Sequence, residues 1–348
     1  MERKMTVARS QLVDASVTPW YHVISKTVRG ARLLSHGDID RKQWIEDRLR
    51  LLAEVFAVDV AGYAILDNHL HLLVNLRTAE IVDWSDEDVL ARWFRIHPPR
   101  ANRKPIEITD DLIRQFASDS RLVKEVRKRL GDLGWFMKSL KEPIARLANQ
   151  ADNTTGAFWQ SRYKSIAILD PEALLAVSAY IDLNVFAAGM SPTPEDSPHT
   201  SLKTRVQHCQ EQNRISDLKA AKVSTVAGVA AARGLEDDLW LSPIEDRRHC
   251  DSDSRPGLLD GFSLGSYLQL IDWTSRLVRQ GKARVTEDVR SLLDRLDTTA
   301  ETWSVTLQSL FATSRPTGVA FAFHRQRLRE AATQLGRHHL ANLNGYRT

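Results

Sequence analysis

The chain has 348 residues, of which 43% are hydrophobic and 26% are charged, the composition of an ordinary folded protein of one or two domains. No run approaches the length of a membrane-spanning helix, and the first residues lack the apolar centre of a signal peptide, so we expect a cytoplasmic protein with no membrane partner. Cys209 and Cys250 lie far apart without metal-site spacing, which argues against a disulfide framework or a zinc ribbon.

The net charge of +4 is unevenly distributed along the chain. Between Arg121 and Lys164 there are ten lysines and arginines against four acidic residues, and a second basic stretch runs from Arg315 to Arg347. Such an excess suits a polyanionic partner, although a solvated helix face explains the charge pattern equally well.

The first part of the chain predicts the element order β-α-β-β. Residues 21–28 alternate and are rich in β-branched side chains, as is typical of a strand. Apolar positions at helical spacing predict a helix over about 39–56. Strands are predicted over 58–66 and 69–76, and the Asp67-Asn68 turn signal joins them as a hairpin.

The middle of the chain is predicted to be helical on both sides of a fourth strand. That strand covers 157–168, and Asp170 and Pro171 then provide the N-cap and first residue of a helix that ends near 188. The elements indicate an α+β fold with a ferredoxin-like or RRM-like antiparallel sheet and flanking helices. Between the third and fourth predicted strands, the sequence predicts helices over 83–100, 109–130 and 133–150 and a loop over 101–105.

Three prolines in residues 191–198 predict a boundary between two regions. We divide the chain into a domain over 15–190 with a helical insertion at about 85–130, a Pro-rich linker over 191–200, and a mainly helical C-terminal region over 201–348. The C-terminal region is predicted to be helical because it has periodic apolar stretches near 200–212, 225–233, 263–280, 285–296, 299–312 and 317–340.

Two histidines stand one residue apart at the start of the third predicted strand. Because strand side chains alternate between faces, His69 and His71 project from one face and Leu70 from the other. Two imidazoles on one face suit a metal ion, yet such a pair is more often exposed or hydrogen-bonded than metal-binding. His22 on the first strand could approach the same site, but a structural histidine is the more common interpretation.

Tyr180 and Asn184 lie four residues apart on the predicted helix after Pro171, and therefore share one face of it. Each has an ordinary interpretation when taken alone. A tyrosine near a helix end is commonly a core residue with its hydroxyl at the rim, and an asparagine can cap a helix.

Three segments taken together resemble the single-tyrosine HUH transposases, and within them the group associated with repetitive extragenic palindromes (REP). The segments are 68–71 (Asn-His-Leu-His), 158–165 (Phe-Trp-Gln-Ser-Arg-Tyr-Lys-Ser) and 179–184 (Ala-Tyr-Ile-Asp-Leu-Asn). The resemblance covers about residues 15–205. Many relatives carry a proline two residues before the first histidine and another after the asparagine, where this chain has Asp67 and Val185.

The resemblance implies a metal-dependent single-strand DNA endonuclease and strand transferase. Tyr180 matches the nucleophile that forms a 5′-phosphotyrosine link. His69 and His71 match the metal ligands, and Asn184 matches the third, oxygen-donating ligand. This mixed donor set suits Mg²⁺ or Mn²⁺. The implied partner is DNA, single-stranded or hairpin-forming, and a homodimer is one of the oligomeric states found among relatives.

Basic and aromatic side chains near these segments are expected to contact DNA, because phosphate neutralisation supplies most nucleic-acid affinity. An amphipathic helix packed on the core is the competing interpretation for 133–150. The candidate residues are Lys138, Lys141, Arg146, Arg162, Tyr163 and Lys164.

Two other functions remain open at this point. A regulator on the same fold would bind nucleic acid without cleaving it, as sheet domains of this shape do. A metal-dependent hydrolase of small phosphoesters would use water as the nucleophile, with Tyr180 only positioning it. The C-terminal region is expected to bind DNA, to mediate assembly or to recruit a host factor.

Overall fold

A computed structural model gives the chain a mixed α+β architecture, in agreement with the predicted class. The ferredoxin-like detail stays a prediction. The structure describes residues 13–35, 39–221, 226–249, 255–280, 289–290, 293–294, 298–312, 320–323 and 325–334.

The main sheet has five strands and is mostly antiparallel. The strands of the described chain are β1 (Trp20–Lys26), β2 (Val58–Ile65), β3 (His69–Leu76), β4 (Arg100–Ala101), β5 (Lys104–Pro105), β6 (Lys164–Ile168), β7 (Glu245–Asp246), β8 (Leu259–Asp260) and β9 (Ala320–Phe321). The order across the main sheet is β2-β3-β1-β6-β9, in which only β6 and β9 are parallel neighbours. The predicted β2–β3 hairpin is confirmed, with Asp67-Asn68 at its turn.

Helices lie on both sides of this sheet, and among the described residues no helix is long and apolar enough to cross a membrane. The helices are α1 (Arg41–Val55), α2 (Asp86–Phe94), α3 (Asp110–Ala117), α4 (Ser120–Leu130), α5 (Leu133–Ala151), α6 (Pro171–Ala187), α7 (Ser201–Glu211), α8 (Ile215–Ala220), α9 (Val226–Ala232), α10 (Leu264–Gln280), α11 (Ala300–Ala312) and α12 (Arg325–Gln334).

Several local predictions differ from the structure. The expected loop over 101–105 belongs to the β4–β5 hairpin, because Asn102 and Arg103 adopt the positive φ values, 51° and 66°, that a two-residue hairpin turn requires. The fourth strand begins at Lys164 rather than at 157. Residues 320–321, expected in a helix, form β9, because they pair with the edge strand β6.

Alternation along β1 separates two apolar clusters, one on each face of the sheet. Tyr21 and Val23 belong to the cluster that α1, α2, α4 and α5 cover. Ile24 belongs to the cluster formed with α6, α7, α10 and α11. His22 therefore points to the α6 side of the sheet, as Ile24 does.

The described C-terminal helices share a core with the first part of the chain. Helices α10 and α11 pack on α6, and residues on both sides of 191–200 contribute to one buried cluster. Within that segment Ser197 is fully buried and hydrogen-bonded. The domain boundary over 191–200 stays a prediction, and the helix expected over 285–296 lies mostly outside the described residues.

Candidate functional site

The predicted residues of β3 and α6 line one cavity. It has a volume of about 580 Å³, and its lining includes His69, His71, Tyr180 and Asn184. Strand β3 lies inside the sheet, and α6 crosses the same face in contact with β2 and β3. The packing of this helix on the sheet brings together residues that are far apart in sequence.

Helix α6 begins where its sequence predicts. The Asp170 carboxylate accepts a hydrogen bond from the backbone N–H of Ala173 at 2.9 Å, and Pro171 occupies the first turn. Tyr180 and Asn184 follow one helical turn apart and face the cavity together.

Three histidines cluster behind the tyrosine. The ring centroids of His69 and His71 lie 4.9 Å apart, and those of His71 and Tyr180 lie 5.4 Å apart. Nε2 of the fully buried His22 is 2.9 Å from Nδ1 of His71. Of the two interpretations of His22, the structure favours an approach to the site, because it places His22 in contact with a candidate metal ligand.

The donor atoms fit a divalent metal ion. Nε2 of His71 is buried and has no hydrogen-bond partner among the described residues. Nδ1 of His69 lies 2.6 Å from Oδ1 of Asn68, so a proton on Nδ1 would leave the lone pair of Nε2 for a ligand. With the amide oxygen of Asn184, two imidazole nitrogens make a donor set suited to Mn²⁺ or Mg²⁺.

The candidate metal ligands His69, His71 and Asn184 include an amide oxygen, whereas many metal sites have a carboxylate at such a position. Among the described residues, no group of three or more His, Cys, Asp or Glu side chains is arranged to hold a metal ion. The remaining coordination positions would therefore fall to water or to phosphate oxygens, as is usual for Mg²⁺.

Burial keeps the candidate ligands uncharged. It lowers the pKa of His69 to about 4, an effect to which the positive charge of Lys26 adds. Burial also lowers the pKa of His71 well below its usual value, with smaller contributions from its histidine neighbours and Lys26. Both imidazoles are neutral at pH 7, the form that binds a metal.

Tyr180 is held in its protonated form. Burial raises the pKa of its phenol, and a hydrogen bond with Asn184 opposes this only in part. The side chain is 7% exposed, and its ring centroid is 5.1 Å from that of Phe311 on α11. A phosphodiester that reached Tyr180 would meet a phenol already positioned by ring contacts.

Several residues of this cavity were not predicted from the sequence. Lys26 shares a strand face with His22 and Ile24, so period-two alternation could have identified it. Ile24 lies on that face too, and Leu66 follows β2. The remaining residues come from α10, α11 and the end of α6, where no local motif marks them. They are Ala187, Ala188, Leu277, Val278, Gln308 and Phe311.

The six predicted DNA-contact residues lie outside the described lining of the cavity. On α5, the ammonium groups of Lys138 and Lys141 lie 4.5 and 5.2 Å from the ring centroids of Trp135 and Trp159. Arg146 on the same helix is 3.7 Å from the carboxylate of Glu142.

Residues 162–164, at the start of β6, include both exposed and buried side chains. Arg162 and Lys164 are exposed and line a neighbouring cleft. Tyr163 is 7% exposed and belongs to the cluster on the opposite face of the sheet. Almost all of the Tyr163 ring is packed against this core, and a contact of Tyr163 with DNA stays a prediction.

No protein-family model matches the chain, and no curated protein matches it. A solved structure, of a REP-associated tyrosine transposase bound to a REP hairpin, is similar over 54% of this chain and 78% of its own, with 13% sequence identity and a TM-score of 0.33. This is a distant likeness, and it carries no argument about the activity of the present chain.

Proposed function

We propose that the chain is a metal-dependent single-strand DNA endonuclease and strand transferase whose nucleophile is Tyr180. The observation that supports this most is the shared cavity. Two histidines of β3 and a tyrosine and an asparagine of α6, which are far apart in sequence, line it together. The proposed mechanism assigns a separate task to each of them.

In the proposed reaction the phenolic oxygen of Tyr180 bonds to the phosphorus of a phosphodiester. The bond from phosphorus to the 3′-oxygen breaks, and this oxygen leaves as a hydroxyl with the proton that the phenol loses. The product is a 5′-phosphotyrosine link. Attack on this link by the 3′-hydroxyl of another strand reverses the step and completes strand transfer.

The surrounding side chains position the reacting groups. A Mg²⁺ or Mn²⁺ ion held by His69, His71 and Asn184 would polarise the scissile phosphate and stabilise its developing charge. His22 orients the ring of His71, and Asn68 orients that of His69.

A cleavage assay tests this proposal. With Mn²⁺ and a labelled single-stranded oligonucleotide, we expect a cleaved product and a protein–DNA species that survives denaturing electrophoresis. Tyr180→Phe should give neither, whereas the control Tyr163→Phe, which alters a buried tyrosine outside the cavity, should give both. A covalent species formed by Tyr180→Phe would contradict the assignment.

One observation favours the second candidate, a regulator that binds nucleic acid without cutting it. The ring of Tyr180 is nearly buried and packs against Phe311, so little of it faces an incoming strand. If this function is correct, the chain should bind the oligonucleotide with no covalent species in either Mg²⁺ or Mn²⁺, and Tyr180→Phe should bind as tightly as the parent.

A further inference from the structure

A second cleft adjoins the site cavity, and its described lining is strongly basic. It has a volume of about 390 Å³ and includes four cationic side chains and no carboxylate. Ile24 and Lys26 line both the cleft and the site cavity, so the two spaces share a wall. The cationic residues of this basic cleft are Lys26, Arg29, Arg162 and Lys164.

The four charged residues lie at or next to the adjoining ends of two neighbouring strands. Strands β1 and β6 are antiparallel, and Ile24 is the partner of Lys164 in their register. Lys26 ends β1 two residues later, and Arg29 lies on the turn that follows. The ends of the paired strands therefore place like charges together, and an anion bound among them would reduce their mutual repulsion.

The two arginines are available to such an anion. Arg29 and Arg162 are exposed, and within the described ranges neither forms a salt bridge with a carboxylate. Arginine is well suited to phosphate, because its planar guanidinium donates two parallel hydrogen bonds to the phosphate oxygens.

One side chain connects the basic cleft to the candidate metal ligands. Nδ2 of Asn68 donates a hydrogen bond to the carbonyl oxygen of Gly30 at 3.0 Å, and its Oδ1 lies 2.6 Å from Nδ1 of His69. Arg29 and Gly30 both have positive φ, 55° and 67°, so this turn is sharp and benefits from such a tether. Asn68 thus fixes the arginine turn relative to His69.

We infer that the basic cleft binds the sugar–phosphate backbone of the DNA strand beside the phosphate that enters the site. This inference rests on the proposed function, which supplies the strand. The described residues of the lining are rich in charge and include no aromatic ring, so the cleft recognises phosphates rather than bases. The affinity it provides is independent of sequence and sensitive to salt.

The test measures binding without cleavage. A labelled single-stranded oligonucleotide is titrated with the full chain in EDTA at several salt concentrations, and fluorescence anisotropy gives the association constant. For Arg29→Ala/Arg162→Ala we expect about tenfold weaker binding at low salt. The slope of log K against log salt should become shallower by about 1.4, since each phosphate contact on a single strand contributes about 0.7.

A matched double variant controls for the loss of two surface charges. Arg95 and Arg114 are exposed and lie outside the basic cleft, so Arg95→Ala/Arg114→Ala should retain the parent slope. Arg29→Lys/Arg162→Lys keeps the charges and should recover most of the slope. Thermal unfolding of each variant verifies that it is folded.

Two results would overturn the inference. One is a slope for Arg29→Ala/Arg162→Ala equal to that of the parent, and the other is an equal loss of slope in Arg95→Ala/Arg114→Ala, which would show that the loss is not specific to the basic cleft. Because the assay contains no metal and scores no cleavage, its failure is distinct from failure of the proposed function, which the covalent species decides.

Discussion

The imidazole of His22 stacks behind that of His71, with Nε2 of His22 only 2.9 Å from Nδ1 of His71 and the ring centroids 5.2 Å apart. One of these nitrogens must donate to the other. If His71 is to offer Nε2 to a metal, its proton must lie on Nδ1 and be donated to His22. The pair then fixes both the tautomer and the ring orientation of His71.

Replacement of His22 should therefore weaken metal binding although His22 is not itself a proposed ligand. We expect His22→Phe, which keeps a ring and removes the acceptor, to bind Mn²⁺ about 10 to 100 times more weakly. Calorimetric titration measures the affinity. The exposed His249 provides a control, since His249→Gln should bind as the parent does. Equal affinities for His22→Phe and the parent would show that His22 does not orient a ligand.

Substitutions of Asn184 test whether this residue is an oxygen ligand of the metal or only a hydrogen-bond partner of Tyr180. Asn184→Ala should lower the affinity for Mn²⁺ about tenfold or more, whereas Asn184→Asp, which supplies a charged oxygen, should match or exceed the parent. The electron paramagnetic resonance signal of free Mn²⁺ measures the affinity of each variant for the ion. If alanine at this position left Mn²⁺ binding unchanged, Asn184 would act only through its hydrogen bond to the phenol.

Tyr21 precedes His22 on β1 and should lie on the opposite face of the sheet. The pH dependence of stability tests this placement. Burial raises the pKa of Tyr21 to about 12, and its hydroxyl donates to the carbonyl oxygen of Asp14 at 3.0 Å. An unfolded tyrosine titrates near 10. The folded protein thus holds this proton more tightly, so the stability that Tyr21 contributes is present below about pH 10 and is lost as the pH rises through the folded value.

The comparison is between the parent and Tyr21→Phe. From pH 10 to pH 12 the parent should lose up to about 2 kcal/mol more unfolding free energy than the variant, which has no phenol to ionise. Urea unfolding at each pH measures the difference. Parallel pH profiles for the two proteins would mean that Tyr21 is not buried on the α1 side of β1.

Asp182 anchors the face of α6 opposite the cavity. One carboxylate oxygen accepts from the Ser201 hydroxyl and the Leu202 backbone N–H, and the other accepts from the Tyr267 hydroxyl. Asp182→Asn replaces one of these acceptors with a donor, so we expect the free energy of unfolding to fall by about 1 to 3 kcal/mol. Urea denaturation measures it.

Asp272→Asn provides the matched control, because Asp272 is an exposed carboxylate that pairs with Arg276 on the same helix. Its effect should stay within about 0.5 kcal/mol. A similar, small effect for Asp182→Asn would show that the buried hydrogen bonds of Asp182 do not hold α7 and α10 on α6.

Much of the site follows from local patterns in the sequence. The Asp67-Asn68 turn positions β3, and Asp170-Pro171 starts α6, so alternation and helical spacing together predict which faces carry the histidines and Tyr180. The same alternation, applied to the start of β6, would have placed Tyr163 on the opposite face from its neighbours Arg162 and Lys164.

The rest of the site depends on tertiary packing. Phe311 and Gln308 reach the cavity because α11 packs on α6, and nothing in the pattern of α11 itself indicates that neighbour. His22 is adjacent to His71 only because β1 and β3 are paired in one register. Contacts of this kind require the order of strands and the docking of helices, which local periodicity does not determine.

Tyr180 is the residue that we propose becomes joined to DNA. Digestion of the covalent species with nuclease and trypsin, followed by mass spectrometry, locates the attached nucleotide directly. Residues 165–203 form one tryptic peptide, in which Tyr180 is the sole tyrosine. We predict that this peptide carries the mass of a phosphorylated nucleotide and that fragmentation assigns it to Tyr180. A nucleotide on any other residue, or none on this chain after incubation with single-stranded DNA and Mn²⁺, would show that Tyr180 is not the nucleophile.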